Sequence, residues 1–309
     1  MPFSDNLYRI QTVGKTRREV LKLAVVAGAG LAGILLVGCG DEEEEEEGTP
    51  TALPATVAPS GFFDSDGVMI HYETFGEGKP IVLVHGYASS LKGNWVAANW
   101  VETLQPARRV VALDNRGHGE SDKPHEPEAY GGENMAQDAL RLMDHLSIDK
   151  ADLFGYSMGA GIATYLLAHH RERFTSVILG GIGNVFESAG GDRSRVIGDA
   201  MLAEDRSEIT DPVGLAFRAF AELDPNNDLK ALGACALRLR EPLDRADLAD
   251  VDIPVIIVNG ANDELAEGAD ELAAAIPGAR LVMIPDTDHL SVVPDPRFKE
   301  EVRAFLEEQ

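Results

Sequence analysis

Gly155-Tyr156-Ser157-Met158-Gly159 sets a serine between two glycines, after the apolar run 151–154 and ahead of a helical pattern over 160–169. A serine on a strand-to-helix turn of this kind stands clear of the backbone. The flanking glycines remove side chains that would collide with the neighbouring strand and helix. Unpaired N–H groups at the start of the helix would face an anion forming beside the hydroxyl. A serine hydroxyl is a poor nucleophile at neutral pH, so it needs a base, and the base needs an acid to fix its tautomer. Of the eight histidines, His289 is best placed, in Ile284-Pro285-Asp286-Thr287-Asp288-His289 after the last strand-like run. Asp263, in Asn259-Gly260-Ala261-Asn262-Asp263 just past the run 254–258, has the location the acid requires. Glu264 is its nearest competitor and Asp286 a weaker one; Asp288 adjoins the histidine in sequence and is poorly disposed to reach its ring. His85-Gly86-Tyr87-Ala88-Ser89-Ser90 follows the first central run, where backbone N–H groups can be aimed at the serine. The N–H groups of Tyr87 and Met158 would then form an oxyanion hole, each worth about 3–4 kcal/mol once charge develops on a substrate oxygen.

The elements that must carry these residues follow an α/β rhythm. The segment 68–74 alternates apolar and polar residues, as an outer strand with one wet face does. Runs at 81–84, 109–113, 151–154, 176–179, 254–258 and 279–284 are short and apolar, as central parallel strands covered on both faces are. Helical patterns at 135–146, 160–169, 264–275 and 297–306 lie between or after them, which predicts a mostly parallel sheet clad by helices on both faces. From about 182 to 251 no central strand is legible, only helix-like pieces at 213–222 and 229–239. An excursion of that length over the strand ends is expected to form a helical cap.

The remaining polar and aromatic residues each have a structural reading. His85 is expected to shape its loop, His118 to brace the polar turn 114–121 with Arg116 and Asp114, and His169 and His170 to end a helix. His125 and His145 read as surface residues. Trp95, Trp100 and the Tyr87 side chain suit either an acyl pocket or the core. Cys235 lies in an alanine- and leucine-rich stretch and reads as a buried apolar residue.

Length and composition bound the rest. The 309 residues allow one large α/β domain or two small ones, and 44% hydrophobic content is ample for a buried core. With Lys and Arg at 27 against Asp and Glu at 52, the formal charge is −25, so a nucleic-acid backbone would be repelled. No clustered metal-ligand spacing, phosphate loop or dinucleotide fingerprint stands in context, and no cofactor is expected. The N-terminal part reads as an address. Thr16-Arg17-Arg18-Glu19-Val20-Leu21-Lys22 resembles a twin-arginine export signal, and an uncharged run over 23–38 follows. That run would span ~24 Å as a helix, short of the ~30 Å hydrocarbon core, and suits a signal peptide. Leu36-Val37-Gly38-Cys39 resembles a bacterial lipobox, which implies Cys39 as an acylation site and the lipid bilayer as a partner; an uncleaved N-terminal anchor stays open, and either reading places the domain outside the cytoplasm. The expected organisation is a signal over 1–38, an acidic and proline-rich tether over 39–60, and a catalytic domain over 61–309.

Taken together, the His85-Gly86 loop, the turn 114–121, the elbow 155–159, the Asp263 turn and the terminal His289 resemble the α/β-hydrolase family, in its serine-nucleophile esterase and lipase-like branch. The resemblance implies Ser157 as nucleophile, Asp263 as acid, His289 as base, and Tyr87 and Met158 as oxyanion donors. It implies a carboxylic-ester hydrolase working through an acyl-enzyme. Lactonase, C–C hydrolase and cofactor-free perhydrolase activities stay open, as does a non-catalytic ligand-binding lipoprotein. Serine at the elbow, where dehalogenases and epoxide hydrolases of the same fold carry aspartate, argues against those two activities.

Overall fold

Among the described residues, short central runs rich in Val, Ile and Leu pair side by side, with two more polar strands at one edge, into one eight-stranded sheet. The computed structural model describes residues 60–186, 191–238 and 243–309. The arginine pair, the apolar run, the lipobox with Cys39 and the acidic run all lie outside the described residues. The strands are β1 (Ser60–Asp64), β2 (Met69–Phe75), β3 (Lys79–Val84), β4 (Arg108–Leu113), β5 (Ala151–Tyr156), β6 (Phe174–Gly180), β7 (Val255–Gly260) and β8 (Arg280–Ile284). Their order across the sheet is β1-β2-β4-β3-β5-β6-β7-β8. β1 pairs antiparallel with β2 and β2 with β4, and every later pair is parallel.

This order places the chemistry. The chain steps outward from β3 to β4 and then returns to the other side of β3 as β5, which makes β3/β5 the switch point of the sheet. Crevices outside the carboxyl ends of parallel strands at such a point are where ligands gather. The loops after β3, β5, β7 and β8 therefore leave from one rim, although His85 and His289 are far apart in sequence.

Strand side chains alternate between two apolar layers. Val82, Val84, Val111, Leu113, Leu153, Val177 and Ile257 face one, where they meet α2 (Gly132–His145), α3 (Met158–His169) and α7 (Ala269–Ala275). Ile81, Leu83, Val110, Phe154, Ile178 and Ile256 face the other, against α1 (Trp100–Leu104) and α8 (Pro296–Glu307). Trp95 and Trp100 are fully buried in this second layer, their rings against Phe154, with Phe298 beyond Trp100. Of the two readings open from sequence, the structure takes core packing for both tryptophans.

Between β6 and β7 lie α4 (Gly191–Leu202), α5 (Pro212–Ala221) and α6 (Leu229–Leu237), the helical excursion expected there. Asp211 and Asp228 begin α5 and α6 by accepting bonds from the first free N–H groups, and Pro212 occupies the first turn where no donor is lost. β1, α1 and α4 are absent from the sequence expectation. The helix expected over 264–275 is instead a single turn at Glu264–Ala266 and then α7, because Gly268 between them takes φ 80° and breaks the repeat.

Candidate active site

The elbow is built by close backbone approach. Ser157, between β5 and α3, takes φ 54° and ψ −114°, a conformation that residues with a Cβ rarely adopt. It holds because α3 packs directly on the end of β3: a Cβ on Gly159 would stand 2.0 Å from the Val84 carbonyl oxygen. No side chain fits there.

One imidazole then joins three strands. His289 Nε2 lies 2.9 Å from Ser157 Oγ, and its Nδ1 lies 2.8 Å from Asp263 Oδ2. The carboxylate accepts at Nδ1, so that nitrogen carries the proton and Nε2 is free to accept from the hydroxyl. The Asp263 side chain is wholly buried, and its second oxygen accepts from the Leu265 N–H at 2.9 Å. The loop that carries His289 turns back over β7, where Asn262 N–H donates to the Thr287 carbonyl at 2.8 Å. Gly260 permits this crossing, since a Cβ there would come within 2.5 Å of the same oxygen. Tyr156, beneath the serine, donates its hydroxyl to the His289 carbonyl. Burial pushes the Tyr156 phenol well up, with Asp263 and Asp288 nearby adding to the shift, so it remains a donor.

The three competitors for the acid role are engaged elsewhere or face solvent. Asp288 accepts from the Leu290 and Ser291 N–H groups and the Ser291 hydroxyl, closing its own turn. Glu264 and Asp286 are exposed.

The loop after β3 runs beside Ser157: a Cβ on Gly86 would lie 3.3 Å from Ser157 Cβ. Its orientation is fixed by His85, which the sequence assigns to loop shaping. The Asn115 N–H donates to His85 Nε2 at 2.9 Å, so the proton sits on Nδ1 and is donated to the Gly86 carbonyl at 2.8 Å. That carbonyl shares a peptide plane with the Tyr87 N–H, which must point the opposite way. Asn94 accepts from the Gly86 N–H at 3.0 Å and holds the preceding peptide. Met158 is the first residue of α3, where the N–H has no acceptor within the helix. The Tyr87 side chain is buried. It packs against Phe217 and His118, and its hydroxyl donates to the Leu232 carbonyl at 2.8 Å.

The turn after β4 is a brace. Asp114 accepts from the Leu91 N–H at 2.8 Å and the Glu120 N–H at 3.0 Å, and pairs with His71 at 2.8 Å. Burial alone would raise its carboxyl, but the His71 bond, the His85 ring and the two N–H groups hold it below the usual range. Arg116 forks onto both oxygens of Asp138 at 2.8 and 2.7 Å. His118 donates Nδ1–H to the Arg116 carbonyl at 3.0 Å. His118 thus braces the turn through the Arg116 carbonyl, while the Arg116 guanidinium is held by Asp138 and Asp114 by the loop after β3. Cys235 is buried with its Sγ 3.9 Å from Met158 Sδ, and burial pushes its thiol far up. Among the described residues no group of three His, Cys, Asp or Glu side chains could hold a metal ion.

Sequence reasoning does not reach Tyr156, Asn94 or Asn259, which ties the ends of β6 and β7 through the Ile182 N–H and carbonyl at 3.1 and 2.8 Å. Only Tyr156 had a signal, its place inside the elbow. The two asparagines act across distances that leave no local pattern.

The family model for the alpha/beta hydrolase fold matches residues 79–201. A protein of Acinetobacter baylyi named 3-oxoadipate enol-lactonase 2 is 28% identical over 267 residues, covering 77% of this chain and 93% of that protein. A solved structure of a hydrolase from Pseudomonas aeruginosa is similar at a TM-score of 0.68 and 28% identity, covering 80% of this chain and 98% of that one. An enol-lactonase structure from Burkholderia xenovorans gives a TM-score of 0.63 at 29% identity, covering 80% and 100%.

The brace makes a prediction about acid stability. Burial lowers His118 from 6.5 to about 3, the neighbouring His85 adding to the effect. Between those values the unfolded chain binds a proton that the folded chain does not, so stability is lost as pH falls through this window, by up to about 1.4 kcal/mol per pH unit. His118→Asn keeps a donor for the Arg116 carbonyl and removes the titration. Urea unfolding at about pH 7 and about pH 4 should show a smaller loss in the variant than in the wild type; equal losses would contradict the assignment.

Proposed function

We propose that this protein, an enzyme of the α/β-hydrolase fold family, cleaves carboxylic esters through an acyl-enzyme formed on Ser157. The observation that carries the reading is the single imidazole held between Ser157 Oγ at 2.9 Å and Asp263 Oδ2 at 2.8 Å.

In this reading His289 Nε2 takes the Ser157 proton as Oγ attacks the ester carbonyl. Asp263 keeps the other ring nitrogen protonated and stabilises the imidazolium. The N–H groups of Tyr87 and Met158 receive the oxyanion. Collapse of the tetrahedral intermediate expels the alcohol, protonated by His289, and leaves the acyl group on Oγ. Water deprotonated by the same nitrogen attacks that acyl group, and the released serine recovers its proton. Lactones, being cyclic esters, follow the same steps with the alcohol still tethered to the acid. The similarity to two enol-lactonases supports including them in the substrate range.

We also read the protein as exported and held at the outer face of a bacterial membrane by acylated Cys39. The ordered sequence of arginine pair, apolar run and lipobox supports this. Cys39→Ser should move the protein from the membrane fraction to the soluble fraction; an unchanged distribution would contradict the lipobox reading.

For the chemistry, a panel of p-nitrophenyl esters and small lactones should be turned over by the wild type and not by Ser157→Ala. Asp263→Asn preserves shape but favours the wrong histidine tautomer, and should lower kcat by roughly 10³- to 10⁴-fold. Turnover that survives Ser157→Ala unchanged would refute the proposal.

A further inference from the structure

One cap helix reaches both residues whose N–H groups are assigned to the oxyanion. On α6, Leu232 and Cys235 are three apart and share a face. The Leu232 carbonyl accepts the Tyr87 hydroxyl at 2.8 Å, and Cys235 Sγ lies 3.9 Å from Met158 Sδ. Just before α6, Asn227 donates from Nδ2 to the Ala88 carbonyl at 3.2 Å and to the Ala221 carbonyl, at the end of α5, at 3.0 Å. The neighbouring Asp228 caps α6 and also bonds His125 Nε2 at 2.9 Å, which fixes this corner of the cap to the loop after β4.

Ala88 explains why the clamp matters. It has φ 54°, a left-handed backbone that a residue with a Cβ adopts only when its surroundings enforce it. The core holds the loop on one side, through Asn94 on the Gly86 N–H and His85 on the Gly86 carbonyl. On the other side it is held by Asn227 and Leu232, both from the cap. The tripeptide Gly86-Tyr87-Ala88 is thus gripped from two parts of the fold, with the Tyr87 N–H between the grips.

We infer that Asn227 is a positioning residue for the oxyanion hole, and that with the Tyr87 hydroxyl it makes the donor geometry depend on how the cap is seated. The inference rests on the serine-hydrolase reading. It gives the cap a part in rate as well as in substrate choice: a substrate that seats α6 correctly aligns the Tyr87 N–H. A donor displaced by a fraction of an ångström loses stabilisation of the transition state while substrate binding is little changed.

The test uses the full-length protein, a p-nitrophenyl ester, and a trifluoromethyl ketone whose hemiketal oxyanion occupies the hole. Asn227→Asp keeps the size but removes the donor, and Tyr87→Phe removes only the hydroxyl. Each variant should lower kcat by roughly 10- to 100-fold with KM within about threefold, and weaken the ketone by the same factor as kcat/KM. A kcat within about twofold of wild type in both variants, or equal changes in KM and ketone affinity that leave kcat intact, would overturn the inference. Should Asn227→Asp fail to fold, Tyr87→Phe decides by the same criteria. Failure of the underlying reading looks different: the wild type and Ser157→Ala would then be indistinguishable before any cap variant is compared.

Discussion

The contact on which the site depends is that of α3 with the end of β3. Where Gly159 meets the Val84 carbonyl there is no room for a side chain, and that closeness bends the chain at Ser157 into a conformation it would not take alone. The same contact brings the loop after β3 alongside the serine, so the proposed nucleophile and the proposed oxyanion donors come together for one reason. The cost of the strained residue, on the order of 1–3 kcal/mol, is offset by the packing of α3 into the apolar layer on that face of the sheet.

The histidine arrives by a different route. β7 and β8 lie beyond β6, and their loops must reach back across the rim to the end of β5. Four bonds bring this about: Asn262 N–H to the Thr287 carbonyl, the pair between Asn259 and the Ile182 N–H and carbonyl, and the Tyr156 hydroxyl to the His289 carbonyl. Tyr156 makes the elbow itself an anchor for His289. The core thus carries the proposed proton relay, and the cap, through Leu232 and Asn227, supplies one side of the grip on the loop after β3.

How much of this was legible in the sequence follows from the range of each interaction. Central strands announce themselves because both faces are buried, so runs such as 81–84 and 151–154 need no partner to be recognised. The glycines around Ser157 and the positions of Asp263 and His289 after strand-like runs were readable for the same reason: chain order along a parallel sheet fixes which loops share a rim. β1 was hidden because Ser60–Asp64 owes its strand to pairing with β2, and its own composition carries little signal. The place of Trp95 and Trp100 was undecidable, since a large aromatic residue suits a pocket or a core equally until α8 brings Phe298 against Trp100. Asn94 and Asn227 lay beyond reach because a single amide holding a carbonyl or N–H elsewhere in the chain imposes no periodicity and no spacing.

The central claim is that His289 makes the hydroxyl of Ser157, and of no other residue, a nucleophile. Peptide mapping by mass spectrometry after reaction with a fluorophosphonate tests it most directly. The account predicts one adduct, on Ser157, in the wild type and its near loss in His289→Gln. An adduct on another residue, or one on Ser157 that forms equally fast without the histidine, would contradict it.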